Sequence, residues 1–207
     1  MKNLIAYIGL ILVVIINSGC PKPCIEANYS FAVESQIIPD IDSVHVGDSI
    51  FLNSSFPVKL TDQITGKIVD YSNSSDIGST LGIVKLVDGT YPGIDAVDEF
   101  NYASIIGVIF NDNGVPSPNK VQQLKYKEVN GYYKIKIAII PKQKGTYYFG
   151  VGNGLSNGRG NSKSCEKAGF IITLTNTNQH FNYFNSWNAN VPISPFEKPR
   201  AYFMKVY

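Results

Sequence analysis

The sequence predicts an all-β fold of about ten strands, paired mainly antiparallel. Three observations predict it. Asn-Gly pairs stand at 113–114, 130–131, 153–154 and 157–158, and this dipeptide is the strongest short hairpin signal because both residues tolerate positive φ. The aromatic residues, 12% of the chain, are 13 Tyr and 11 Phe with a single Trp, side chains that suit a pleated, half-buried surface. Apolar residues recur with period 2 rather than 3.6, and strands do not alternate with helices, which argues against a parallel α/β fold.

The elements follow in order. Strands are expected at Tyr29–Ile37, Ser49–Ser55, Lys67–Tyr71 and Thr80–Val87. Tyr102–Phe110 is apolar on both faces and reads as a central strand. Val121–Ile140 reads as a hairpin about Asn130-Gly131, with Val129 opposite Tyr132. That register puts Leu124, Tyr126 and Glu128 on one face with Tyr133, Ile135 and Ile137. The other face then carries Lys125, Lys127, Lys134 and Lys136, with Val129 and Tyr132. One apolar and one charged face describe a half-buried antiparallel pair. Thr146–Val151, Phe170–Thr177 and Tyr202–Tyr207 complete the strands. One short helix is expected near 178–187, because Phe181, Phe184 and Trp187 are spaced i, i+3, i+6. Asn188–Arg200, with Pro192, Pro195 and Pro199, reads as an extended loop.

Composition narrows the class. The chain has 207 residues, 44% hydrophobic and 16% charged, against a usual charged fraction of ~25%. A disordered chain, a coiled coil and a polytopic membrane protein are excluded. Eighteen basic and sixteen acidic residues give +2. No strong field steers such a chain to nucleic acid, and its only arginines are Arg159 and Arg200, which weakens phosphate recognition further.

The start of the chain reads as an address. After Met1-Lys2-Asn3, residues 4–16 are an unbroken run of apolar or small side chains. Thirteen residues fall short of the ~20 that span a bilayer and match the apolar region of a secretory signal. Asn17-Ser18-Gly19-Cys20 follows. It resembles the bacterial lipobox, although Asn17 stands where an aliphatic is usual. The resemblance implies cleavage before Cys20 and lipidation of Cys20. The expected organisation is a signal peptide over 1–19, a lipidated tether over 20–27 and a single β domain over 28–207. Removing 19 of the 207 residues takes away Lys2 and no acid, so the remaining 188 carry +1. Several acyl chains anchor stably where one does not. The tether, stiffened by Pro21 and Pro23, reaches at most ~27 Å. The implied location is the cell envelope, at the outer membrane, on a leaflet left open. Cys24 and Cys165 remain, and an exported compartment permits a disulfide between them; two unpaired thiols are the alternative.

Val46-Gly47-Asp48-Ser49-Ile50-Phe51-Leu52 and Gly145-Thr146-Tyr147-Tyr148-Phe149 are similar to strands of immunoglobulin-like bacterial envelope modules, the second to the late strand where a tyrosine locks a corner. The paired cysteines and core tryptophan of antibody domains are absent. The whole pattern resembles small Bacteroidota-type lipoproteins. The resemblance implies an antiparallel immunoglobulin-like β-sandwich and brings no activity or catalytic residues with it.

Candidate chemistry is sparse. Gly154-Leu155-Ser156-Asn157-Gly158 matches the G-x-S-x-G nucleophile elbow, with Glu166 and His180 downstream. No helix-forming segment follows Ser156, so the stretch reads first as a glycine-rich loop. Asp88, Asp95, Asp98 and Glu99 cluster in one loop; paired carboxylates serve glycoside hydrolysis or calcium, and a solvated acidic loop is the plainer reading. The lysine face (Lys125, Lys127, Lys134, Lys136) suits an acidic glycan, lipid headgroups or an acidic partner. Tyr132, Tyr147, Tyr148, Phe181, Tyr183, Phe184 and Trp187 are candidate sugar platforms, at least half of them core by strand alternation. His45 and His180 read as surface or turn residues, and two distant cysteines with them show no metal-ligand spacing. The expectation is therefore a lipid-anchored envelope protein with a binding or structural role toward a protein or glycan, without cofactor or catalysis. A membrane-tethered hydrolase using Ser156 or Asp95, Asp98 and Glu99 is the alternative.

Overall fold

The computed structural model describes residues 29–88, 90–110, 120–156, 158–159, 166–176, 178–188 and 192–207. Cys20, Cys24 and Cys165, the signal and the tether lie outside the described residues, as do the turns expected at 113–114 and 157.

The strands are β1 (Tyr29–Ile38), β2 (Ser43–Val44), β3 (Ile50–Pro57), β4 (Lys59–Thr61), β5 (Ile68–Asp70) and β6 (Ser74–Ser75). They continue with β7 (Gly78–Val87), β8 (Thr90–Asp95), a 3-10 turn at Val97–Glu99, β9 (Phe100–Ile106), β10 (Val108–Phe110), β11 (Gln122–Lys125) and β12 (Lys127–Val129). The last are β13 (Tyr132–Pro141), β14 (Gly145–Val151), β15 (Gly154–Ser156), β16 (Gly158–Arg159), β17 (Ala168–Leu174), helix α1 (Phe181–Trp187) and β18 (Ala201–Val206). The fold is all-β. Among the described residues eighteen strand segments replace the expected ten, partly because long strands are interrupted and partly because two- and three-residue bridges form inside segments that read as loops.

Fourteen strands form one sheet, in the order β12-β13-β3-β1-β17-β15-β7-β14-β18-β2. β9 lies beside β13, β8 and β11 beside β7, and β10 beside β11. Two pairs are parallel, β1 with β17 and β2 with β18. β9 and β14, remote from each other in this order, meet in the core. The Phe100 ring on β9 lies 4.9 Å from Tyr147 and 5.5 Å from Phe149 on β14, both edge-on. Strand alternation fills the space between: β1 buries Phe31, Val33, Ser35 and Ile37 and exposes the residues between them. Phe31, Phe56, Tyr71 and Phe170 form the aromatic centre of this core.

The Asn130-Gly131 hairpin forms as its sequence dictates, with Asn130 and Gly131 at φ 52° and 75° and Val129 opposite Tyr132. The expected pairing stops after Lys127↔Lys134. Beyond it β9 takes the edge of β13, from Lys136↔Ile106 onward. β11 leaves to pair with β7 and β10. Tyr102–Phe110 is therefore not a central strand. Gly107, at φ +90°, breaks it where a Cβ would stand 2.7 Å from the Lys125 carbonyl oxygen and 3.1 Å from the Ile135 side chain. Its two halves pair on different neighbours, and Ile105 and Val108 face outward.

The β4–β5 hairpin is tied to the start of β1 by one carboxylate. Asp62 accepts from the backbone N–H groups of Ser30, Ile64 and Thr65 and from the Thr65 hydroxyl. Gln63 N–H donates to the Ser30 carbonyl. The Ser30 amide, then the Thr65 hydroxyl, hold the Asp62 pKa below its usual 3.8 against the opposing effect of burial. A depressed folded value means that this stabilisation is complete above the unfolded pKa and is lost as pH falls through the folded one. Wild type is therefore expected to lose stability more steeply than Asp62→Asn below about pH 4. Thermal melts across pH 2–6 check this, and parallel curves would refute it.

Candidate functional site

A shallow, open depression lies on the outer face of β7 and β14. Both strands turn alternate residues inward (Leu81 and Ile83; Tyr147, Phe149 and Val151) and their partners outward. The outward positions include Gly82 and Gly150, directly opposite each other in the ladder, and Gly152 just beyond. Glycine within a strand weakens it and often marks a close approach by backbone or ligand. Here a trench of about 230 Å³ is floored by these glycines and walled by Thr80, Val84 and Val121; a Cβ at Gly150 would meet the Tyr148 hydroxyl at 2.7 Å and one at Gly152 the Thr80 Oγ1 at 2.1 Å, so those two glycines make room for neighbouring side chains. A Cβ at Gly82 meets nothing nearer than 3.9 Å, so the space beside it is open.

The far wall comes from the segment before β18. Arg200 is buried. Its Nε and Nη2 donate to the Phe196 carbonyl at 3.0 and 2.6 Å, and its Nη1 donates to Asn153 Oδ1 at 3.0 Å. The guanidinium lies over the Phe196 ring at 3.3 Å, and that ring is still 66% exposed. Tyr148 packs on Phe203 and lines the trench with Phe196 and Glu197. Burial, reinforced by the Glu197 carboxylate and opposed by Arg200, pushes the Tyr148 hydroxyl up to about 12. It is a neutral hydrogen-bonding group at any physiological pH.

Tyr148 and Glu197 also border a smaller cleft of about 50 Å³ that contains Trp187, Phe184, Leu86 and Pro92. Helix α1 forms where the aromatic spacing places it. Its face packs on β18, Phe184 and Phe181 each lying 5.6 Å from Phe203. Trp187 Nε1–H donates to the Val87 carbonyl at 2.8 Å, which fixes the indole at the end of the cleft.

The lysine face is assembled in part. Lys127 and Lys134 stand opposite each other. Lys134 lies over the Tyr132 ring at 5.6 Å and Lys136 over Phe51 at 5.0 Å, so stacking on aromatic rings draws the like charges aside. Lys125 does not join them; it leaves with β11 and pairs with Asp76. Tyr132 is half exposed beside the lysines.

The acidic cluster is divided. Thr90–Asp95, expected as loop, is strand β8. Lys120 takes two of the acids, its backbone N–H donating to Asp95 and its ammonium pairing with Asp98. Glu99 turns inward to Lys85 Nζ at 2.8 Å and the Tyr147 hydroxyl at 2.5 Å. Ser156 is buried on strand β15, not at a strand-to-helix turn. It meets the Tyr71 hydroxyl at 3.0 Å and Ser74 Oγ at 2.7 Å. Tyr71 also donates to the Glu166 carbonyl. His180, expected at the surface or a turn, occupies the turn before α1 at φ 56° but is buried, with its ring edge-on to Tyr202 and Nε2 3.7 Å from Asp40. His45 is exposed beside Asp48. Among the described residues no three His, Cys, Asp or Glu side chains are grouped to hold a metal.

Of the residues around these clefts, Tyr148 and Trp187 are among the aromatic candidates legible in the sequence, whereas Phe196, Arg200 and the glycine pair are not. Gly82 and Gly150 interrupting otherwise apolar strands were the available signal.

No family model matches the chain, and no curated protein matches it. Among solved structures it is similar to a family 123 glycoside hydrolase from Clostridium perfringens, at 12% identity and TM-score 0.24, over 73% of this chain and 24% of that one. It is also similar to the CupB6 tip adhesin from Pseudomonas aeruginosa, at 11% identity and TM-score 0.19, over 73% of this chain and 43% of the other. The chain thus spans less than half the length of either, and at these scores neither likeness carries an argument about its fold or activity.

Proposed function

We propose that this chain is a lipid-anchored cell-envelope protein, held at the outer membrane through Cys20, whose β domain binds a neutral saccharide without turning it over. The observation that carries the binding role is the trench over Gly82 and Gly150. The space beside Gly82 is open, and the trench is near the lower size of small-molecule sites. Aromatic faces of Tyr148 and Phe196 suit the C–H face of a sugar ring, and Glu197 is placed to accept from its hydroxyls. That carboxylate, with Arg200 already committed to backbone and Asn153, disfavours an anionic sugar.

An immunoglobulin-like sandwich is the finer reading of the fold. The limb β1–β3–β13–β9 and the limb β2–β18–β14–β7–β8 support it. So does Tyr147, whose hydroxyl reaches the carbonyls of Gln143 and Lys144 upstream, as a corner tyrosine does.

Titrating the full chain with neutral oligosaccharides, read by Trp187 fluorescence and calorimetry, tests the binding role. Gly82→Val places a side chain on the floor, its Cβ meeting nothing nearer than 3.9 Å, and is expected to weaken binding by roughly tenfold or more, about 1.4 kcal/mol. A flat titration across the panel, or wild-type affinity in Gly82→Val, overturns the reading. Release of reducing sugar in the same tubes would favour the hydrolase built on Ser156 or on Asp95, Asp98 and Glu99. Intact mass tests the anchor: the mass must begin at Cys20 and include acyl chains, and a two-dalton rise on reduction would report the Cys24–Cys165 bridge.

A further inference from the structure

The end of the domain at which β1 begins carries the most exposed apolar side chains. Ile68, Leu155 and Ile64 are 74%, 73% and 68% exposed, more than any other large apolar side chain among the described residues. They come from different parts of the chain, and the ladder brings them together. Leu155 on β15 stands opposite Gly169 on β17, and Gly169 stands opposite Ser30 on β1. Ser30 in turn bonds with Asp62 and Gln63 at the tip of the β4–β5 hairpin. The row from Leu155 to Gln63 crosses three strand spacings, ~14 Å. Gly169 leaves its middle open, because a Cβ there meets nothing within 4 Å. Ile64 follows Gln63, and Ile68 opens β5 opposite Thr61.

The hairpin tip is rigid. Asp62 gathers the amides of Ile64 and Thr65, and Gly66 takes φ +70°. Ile64 is therefore held outward by structure, at a cost in solubility that a protein free in water has no reason to bear. Lys59 and Lys67 flank these side chains on the same hairpin, both exposed. Tyr29 enters β1 within this group, its N–H donating to the Lys167 carbonyl. From Cys20 to the first strand the chain reaches at most ~27 Å. The C-terminal end lies away from it, where Val46 N–H donates to the Tyr207 carbonyl. Trp187 is also remote, bonded to Val87 at the opposite end of β7 from Gly78, the residue that faces Leu155.

We propose that this end seats on the phospholipid surface that holds the anchor, with Ile64, Ile68 and Leu155 entering the headgroup boundary and Lys59 and Lys67 meeting anionic phosphates. The inference rests on the lipid-anchor reading above and adds an orientation to it. The domain stands on its β4–β5 end, with Trp187 and the C-terminal end farthest from the bilayer.

The full lipidated chain, extracted from its membrane, is reconstituted in phosphatidylethanolamine–phosphatidylglycerol vesicles, with and without brominated acyl chains. Ile64→Trp and Leu155→Trp place reporters at two exposed positions on separate strands, and Trp187 is the internal reference. Flotation with the vesicles, a blue shift and quenching by brominated lipid in both variants, and an unquenched wild type are expected. Flotation without quenching in the variants overturns the docking and leaves the anchor standing. Quenching of wild-type Trp187 to the same extent overturns the orientation. A chain that does not float overturns the anchor and the docking together.

Discussion

Phe170→Ala is expected to cost about 3–5 kcal/mol, a large share of the ~5–15 kcal/mol that holds an ordinary domain folded. Phe170 is 1% exposed, and its ring contacts Phe31 at 5.5 Å, Phe56 at 5.7 Å and Tyr71 at 6.0 Å. Each such aromatic pair adds roughly 0.5–1.5 kcal/mol beyond the area buried. Removing the ring strips one side from three others at once. The site cannot collapse to fill the space. The Phe170 backbone is fixed by parallel pairing with Phe31 on one edge and antiparallel pairing with Gly154 on the other. Ile171→Ala, one residue on and facing outward, is the matched control and is expected to cost under about 1 kcal/mol. Denaturant unfolding of the two variants decides the point. If they lose the same stability, β17 is not part of the principal core.

That strand also marks where the sequence stops being informative. The alternation of Phe170, Ile172 and Leu174 predicts a half-buried strand, and one forms. Nothing local says that its neighbour is β1, more than a hundred residues earlier and parallel to it. Pairing at that range is settled by the whole core rather than by a turn. Close to a turn the reading succeeds: Asn130-Gly131 fixes Val129 opposite Tyr132 and two further pairs, because two residues at positive φ leave one register. It fails as soon as a tertiary neighbour competes, which is why Lys125 pairs with Asp76 and not across from Lys136. Aromatic spacing located α1 for the same local reason. The trench was hardly legible, since its walls come from β7, β14 and the segment before β18. Only its glycines leave a trace in the sequence, and a glycine is equally the trace of a turn.

Glu99→Ala is expected to destabilise the domain by about 2–3 kcal/mol, although Glu99 sits in a segment that reads as a solvated acidic loop. The carboxylate oxygen Oε2 accepts from both Lys85 Nζ and the Tyr147 hydroxyl. Gly145 makes this geometry accessible: a Cβ there would stand 2.7 Å from Lys85 Cε and 3.2 Å from the Tyr147 ring. Lys85 can therefore lie across the ring at 5.5 Å and still reach the acid. Burial, then the hydrogen bond to Glu99 and its negative charge, raise the Tyr147 pKa, so the phenol stays protonated and donates. Lys85 and Glu99 side chains are 22% and 21% exposed. Loss of the acid leaves Lys85 able to recover some water, which keeps the cost below that of a fully buried pair. Tyr147 retains the Gln143 and Lys144 carbonyls at 3.1 and 3.4 Å, so its hydroxyl is not orphaned. Tyr147→Phe alone is then expected to cost about 1–2 kcal/mol. Both single variants and the double variant form a cycle with a coupling of about 1 kcal/mol. A coupling near zero would mean that the acid and the tyrosine stabilise the fold separately, and the corner would then depend on the two carbonyls alone.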